Sequence, residues 1–287
     1  MKKSLVLAVL GVMPLVSPGI LRLEAWTPRA DQVPGGLSFS ATLESIEIDA
    51  RSDQVVTRQF SLTLDKNQPR THFKAHIEDW WRSEDGRQSF YASPGTLKKS
   101  CGNWVSLNPV ESAIGGGETL LVRVTVAIPP ERAAGGYWCA LTVDEIPDPL
   151  APSTGVGVHF VASVSTGIFV YLDPVLRNAQ ILDLQTQNND ILLKVRNLGN
   201  APLGIEGRVE FYSGDAKTPT AVTTLARSTL LTEPSADGVI NAELPPATAL
   251  PSGHYRMRAV LDFGGDHYIG AERDIDIARE SVHVPQR

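Results

Sequence analysis

The sequence predicts an all-β chain of two consecutive sandwiches behind an export leader. Three observations point that way. Apolar residues alternate with polar ones along most runs, turn residues punctuate those runs evenly, and one signature occurs twice. Its first copy opens on Ile128-Pro129-Pro130 and continues through Gly135-Gly136-Tyr137-Trp138-Cys139 to Asp144. The second opens on Leu244-Pro245-Pro246 and continues through Gly253-His254-Tyr255 to Asp262. A weaker echo, Asn67-Gln68-Pro69 and Asn197-Leu198-Gly199-Asn200-Ala201-Pro202, precedes each copy in the same order. Paired echoes in one order are the mark of a duplicated module.

The N-terminus reads as a secretory leader. Lys2 and Lys3 precede an apolar run from Ser4 to Val16 that is too short to span a bilayer. Cleavage after Gly19 or after Ala25 fits the small residue required, and the leader is assigned to residues 1–25. No later run is apolar enough to cross a membrane. Val156 to Leu172 comes nearest, but its polar residues give it the alternation of a strand.

The first module, 26–173, begins with Leu37, Phe39, Ala41 and Leu43 in alternation, followed by Ile46 and Ile48. Phe60, Leu62 and Leu64 form the next run, then Phe73, Ala75 and Ile77. Leu120, Val122, Val124, Val126 and Ile128 give the most regular period of two in the chain. Tyr137, Cys139, Leu141 and Val143 share one face of the following strand. A linker is expected at Leu172-Asp173-Pro174-Val175, because proline cannot donate to a ladder and restricts the residue before it.

The second module, 174–287, carries strand-like runs at 181–184, 191–195, 205–212, 222–231, 239–244, 255–263 and 268–277. That number and spacing are those of an immunoglobulin-like sandwich. Tyr137 and Tyr255, each at the start of a late strand, are expected to bond back to the preceding turn as tyrosine corners.

Composition limits the function. The chain of 287 residues carries a net charge of −6. Nucleic acid is not an expected partner, since phosphate neutralisation needs clustered Lys and Arg. Cys101 and Cys139 are the only cysteines. In an exported chain the even count favours a bridge, closing a loop worth about 4 kcal/mol. Motifs for a serine nucleophile elbow, a phosphate-binding loop and a zinc protease are missing. His72 and His76 would face one metal on a helix, but on a strand they stand roughly 13 Å apart. The paired acids Glu78-Asp79 and Asp144-Glu145 read as strand ends. No enzyme activity, cofactor or metal is therefore expected.

What remains is aromatic. Trp80, Trp81, Trp104 and Trp138 all fall in the first module, and a Cys101–Cys139 bond would bring Trp104 and Trp138 together. With Tyr137 and Cys139 inward, Trp138 points outward, and adjacent Trp80 and Trp81 cannot share one face. At least one exposed tryptophan is expected, making these four the candidate binding surface. Packing of the same indoles under loops or against the second module is the equal alternative.

The first module resembles the N-terminal domain of periplasmic pilus-assembly (PapD-like) chaperones. The carrying residues are Phe60-Ser61-Leu62-Thr63-Leu64-Asp65-Lys66-Asn67, Ile77-Glu78-Asp79-Trp80, Trp104-Val105-Ser106-Leu107-Asn108-Pro109 and Gly116-Gly117-Glu118-Thr119-Leu120-Leu121-Val122-Arg123-Val124. The two-module layout is also similar to wall-associated proteins that interact with WxL surface proteins. No position matches the basic residues with which pilus chaperones anchor a subunit carboxylate. The resemblance implies an exported, non-enzymatic envelope protein, periplasmic or at the cell surface. It would bind another surface or periplasmic protein, as an assembly chaperone does, by strand addition. A module for carbohydrate or peptidoglycan and a passive spacer are the rival expectations.

Overall fold

The computed structural model describes residues 39–41, 45–91, 93–146 and 161–278. The expected leader and the segment Val156–Phe160 lie outside the described residues. The first module contains β1 (Phe39–Ala41), β2 (Ser45–Ala50), β3 (Val55–Leu64), β4 (Thr71–Arg82), β5 (Gln88–Tyr91), β6 (Val105–Asn108), β7 (Glu111–Ile114), β8 (Thr119–Ala127), β9 (Gly135–Ile146) and β10 (Ser163–Leu172). A 3-10 turn spans Gly102–Trp104.

Two sheets face each other. One has the order β1-β3-β8-β6, and the other β2-β10-β9-β4-β5, with β7 pairing β4 beside β5. The alternation dictates which side is buried. Phe60, Leu62 and Leu64 of β3 and Leu120, Val122, Val124 and Val126 of β8 meet Phe73, Ala75 and Ile77 of β4. Tyr137, Cys139, Leu141 and Val143 of β9 complete the core. The leading segment changes sheets. β1 pairs antiparallel with β3, whereas β2 pairs parallel with β10, from Ser45 opposite Gly167 to Ala50 opposite Leu172.

The second module contains β11 (Ala179–Gln187), β12 (Asp190–Asn197), β13 (Leu203–Ser213), β14 (Ala221–Leu230), β15 (Asp237–Glu243), β16 (Gly253–Asp262) and β17 (Ile269–Ile277). Its sheets are β11-β12-β15 and β14-β13-β16-β17. The seven strands match the seven alternating runs read from the sequence. They enclose a separate core around Ile191, Leu193, Val195, Val209, Phe211, Met257 and Phe263. The chain is thus two tandem β-sandwiches of immunoglobulin type, each with the one-face burial that period-two patterning requires.

Both tyrosine corners are present. Tyr137 Oη donates to the Ala133 carbonyl at 3.1 Å, and Tyr255 Oη to the Pro251 carbonyl at 3.2 Å. Each reaches four residues back across the turn that follows its Pro-Pro pair, so the duplicated sequence signature corresponds to a duplicated structural device. Among the described residues no helix is long and apolar enough to cross a membrane.

Candidate functional site: the module seam and the edge of β10

On β9 the side chains of Trp138, Ala140, Thr142 and Asp144 point away from the first core, as the parity of Tyr137 and Cys139 requires. This outer face of the larger sheet has two ends of different chemistry. At one end it is polar. The Thr142 hydroxyl bonds Glu78 at 2.9 Å and shares a 2.8 Å bond with Ser165, while Ser163 donates to Asp144 at 2.6 Å. His76 lies 3.3 Å from Glu78 and 3.4 Å from Asp144, and His72 stands exposed on the same strand. These acids are therefore partnered within the sheet. Asp79, on the other face, is wholly buried and accepts from Gly95 N, Leu97 N and the Ser100 hydroxyl, tying the following loop to β4.

At the other end the face is aromatic, and the second module sits on it. Trp80, Trp138, Phe169 and Tyr171 cluster with Ala201 and Leu231 of the second module, with Trp81 and Val175 packed alongside. Trp138 stands opposite Phe169 in the β9–β10 register, and Trp80 meets Phe169 edge to face with ring centres 6.0 Å apart. The two indoles also close on each other's strands. Trp138 Nε1 donates to the Trp80 carbonyl at 2.9 Å, and Trp80 Nε1 to the Cys139 carbonyl at 3.2 Å.

The expected aromatic surface is corrected by this arrangement. Trp138 is fully covered, Trp80 and Trp104 are buried, and Trp81 is half-buried. Parity located the outward side chains, but outward from the first core here means into the seam between modules. Trp104 packs instead on Tyr137 at 4.7 Å, between Lys99 and Arg132, which stack on Tyr137 and Trp104 respectively.

Cys101 and Cys139 form a disulfide with both cysteines fully buried. It sits next to Trp138, where Cys101 N donates to the Trp138 carbonyl and Trp138 N to the Lys99 carbonyl. The bridge therefore pins the 93–104 loop against the strand that carries the seam.

The two repeated sequence elements meet at the seam. Gly136 N donates to the Asn200 carbonyl at 2.9 Å. A Cβ on Gly136 would lie 2.3 Å from Pro202 Cδ and 2.7 Å from Ala201 Cβ, and one on Gly135 2.5 Å from the Asn200 carbonyl oxygen. Glycine is required here by the close approach of the Asn197–Pro202 turn. That turn is itself held by Asn197, which donates to the Ala201 and Leu230 carbonyls and accepts from Gly199 N. Asn200 accepts from Leu176 N and donates to the Pro174 carbonyl, fixing the connection between modules.

A second, polar part of the seam joins the β4–β5 hairpin to the second module. Glu84 Oε1 lies 2.5 Å from Lys194 Nζ, and the Glu84 carbonyl accepts from Val239 N at 2.9 Å. Arg82 Nη1 donates to Ser228 Oγ at 3.2 Å, and burial holds its guanidinium below the ordinary arginine range. Arg227 approaches Glu47 of β2 at 3.5 Å. Burial and the nearby Glu47 carboxylate together push the Tyr171 hydroxyl up to about 12.

The remaining feature is a strand edge. β2 covers β10 only from Gly167 onward. Among the described residues, Ser163 to Ser165 pair on the β9 side alone. Glu145 N donates to the Ala162 carbonyl. In an antiparallel ladder bonded and non-bonded pairs alternate, so the backbone groups of Ser163 and Ser165 point away from β9, toward the side that β2 takes from Gly167 onward. Val161, just before, is half-exposed. No cluster of three or more His, Cys, Asp or Glu suited to a metal occurs among the described residues.

No protein-family model and no curated protein matches the chain. Solved structures of fimbrial chaperones do. A chaperone–tip adhesin complex of CFA/I fimbriae biogenesis matches at 10% identity and a TM-score of 0.46, over 83% of this chain and 98% of that one. The CupB2 chaperone of Pseudomonas aeruginosa matches at 14% and 0.44, over 83% and 100%. The E. coli chaperone DraB matches at 13% and 0.40, over 84% and 98%. These likenesses are to fimbrial chaperones, not to wall-associated WxL partners. At such identities and scores, the fold assignment stands on the strand pairings themselves.

Proposed function

We propose that the chain is an exported, non-enzymatic binding protein that holds an extended segment of another envelope protein by strand addition to the first module, in the role of an assembly chaperone. The observation that carries this reading is the start of β10, which among the described residues pairs on its β9 side alone. Backbone donors and acceptors at Ser163 and Ser165 face outward, without a strand partner on that side among the described residues, and an unpaired strand edge is a template for a partner strand. The seam supports it by holding the second module against the first. A protein partner is favoured over polysaccharide because Trp80 and Trp138 are buried in the seam and Trp104 is buried against Tyr137, away from any sugar ring. The division into 26–173 and 174–287 is part of the same proposal, and a folded fragment beginning at Val175 would test it.

The experiment is partner capture from the native envelope with Ser165→Pro. Proline at this position removes an outward N–H and leaves the β9 ladder intact. The reading expects unchanged melting and lost capture. Full capture by a folded Ser165→Pro protein would contradict it.

A further inference from the structure

The two parts of the seam are built differently. Around Gly135 and Gly136 the backbones touch, and the Asn197–Pro202 turn is fully bonded. Around the β4–β5 hairpin the contact is charged and incompletely paired. Trp81 Nε1 and Arg82 Nε are buried without hydrogen-bond partners among the described residues. So are Thr232 Oγ1 and Glu233 Oε1, which follow Leu231 on the opposite side of the aromatic cluster. A permanent interface pairs its buried polar groups, and lifting the hairpin would open Trp81 Nε1 and Arg82 Nε to water. The ion pair that holds the hairpin, Glu84 with Lys194, is about half-exposed and open to screening by salt. The hairpin is itself a closed unit. Ser83 N donates to the Arg87 carbonyl, Gly86 N to the Ser83 carbonyl, and Arg87 pairs with Asp85 at 2.7 Å. It can therefore move without unravelling.

What the hairpin covers is a strand edge. β15 lies at the border of its three-stranded sheet, paired only with β12. Its Val239 N–H is directed at the Glu84 carbonyl of the first module.

We propose that the β4–β5 hairpin is a releasable strap over the edge of β15, clamped by Glu84 and Lys194, while the Gly135-Gly136 contact with Asn200 acts as the fixed hinge of the seam. Release leaves the two sandwiches joined and frees the β15 edge for main-chain pairing. This inference is independent of the β10 reading, since it concerns the second module's edge and is read without a partner.

Amide hydrogen exchange of the intact protein tests it at three positions. Val239 reports the strap and Gly136 the hinge. Ile240, opposite Leu193 on β12, reports opening of the second module itself. Val239 should exchange at least about ten-fold faster than Gly136 and Ile240, by an opening of weak denaturant dependence. Added sodium chloride should accelerate Val239 alone. Glu84→Gln, an exposed change, should accelerate Val239 by about two- to five-fold, the range expected from an exposed ion pair. Arg82→Met should also accelerate it, because it removes the bonds of Arg82 Nη1 to Ser228 Oγ and the Thr229 carbonyl that hold the hairpin on the second module. Exchange of Val239 that tracks Ile240 and ignores salt would overturn the strap. So would an Arg82→Met protein that melts like the parent and exchanges no faster at Val239.

Discussion

Replacing Trp138 by alanine should destabilise the protein more than any change at an exposed position, and should also uncouple its two modules. The side chain is fully buried, touches both modules and donates to the Trp80 carbonyl. An indole buries on the order of 200 Å² of mainly apolar surface, which at about 25 cal/mol per Å² is roughly 5 kcal/mol. Partial collapse of the cavity reduces that figure, and the orphaned Trp80 carbonyl adds to it. The net expectation is about 4 kcal/mol, inside the range for large-to-alanine core changes. The assay is urea unfolding followed by circular dichroism, with each module reported by its own tyrosine corner in NMR. The parent should unfold with both modules coupled, and Trp138→Ala should lower the first module's midpoint and separate the two transitions. A loss below about 1 kcal/mol, with coincident transitions, would refute the assignment of this indole as the seal between modules.

Three further expectations follow from the same contacts. Unreduced, denatured protein should show no free thiol. The Cys101→Ala, Cys139→Ala double variant should lose about 4 kcal/mol by the chain-entropy account of a loop closed over a separation of 38 residues. Gly136→Ala should leave each module folded but weaken their docking, since its Cβ would fall 2.3 Å from Pro202 Cδ; small-angle scattering should show a wider molecule. Glu210 is buried, and the Tyr212 hydroxyl, with Arg208 and Arg258, holds its carboxyl down to about 2. A depressed folded pKa gives stability that is complete above the ordinary glutamate range and is lost as pH falls from about 4 to about 2. Glu210→Gln should therefore flatten the acid limb of an unfolding-versus-pH curve.

Legibility followed physical periodicity. All seven strands of the second module were readable because each buries one face over several residues, and β8 for the same reason. β5, β6 and β7 were not found from alternation. Gln88-Ser89-Phe90-Tyr91 and Glu111-Ser112-Ala113-Ile114 are four-residue edge pieces, too short for a period to show. The change of sheet between β1 and β2 was also hidden, since alternation tells which face is buried but not which sheet a strand joins. The duplicated Gly-Tyr element and the weaker echo of Asn67-Gln68-Pro69 in Asn197-Leu198-Gly199-Asn200-Ala201-Pro202 were visible as text. Their meeting at Gly136 and Asn200 was not, because it depends on the angle between modules. The tryptophans fail for a related reason. Parity placed Trp138 on the outer face, but no local pattern reveals that a second module lies over that face.

The central claim is that a partner strand adds to the start of β10. Its most direct test is hydrogen–deuterium exchange of the protein alone and after capture of its partner, read at residues 163–165. Strong new protection is expected at Ser163 and Ser165, whose backbone groups point away from β9, with little change at Val164, which already pairs with Val143. A stoichiometric complex in which Ser163 and Ser165 exchange as fast as in the free protein, while protection appears elsewhere, would contradict it.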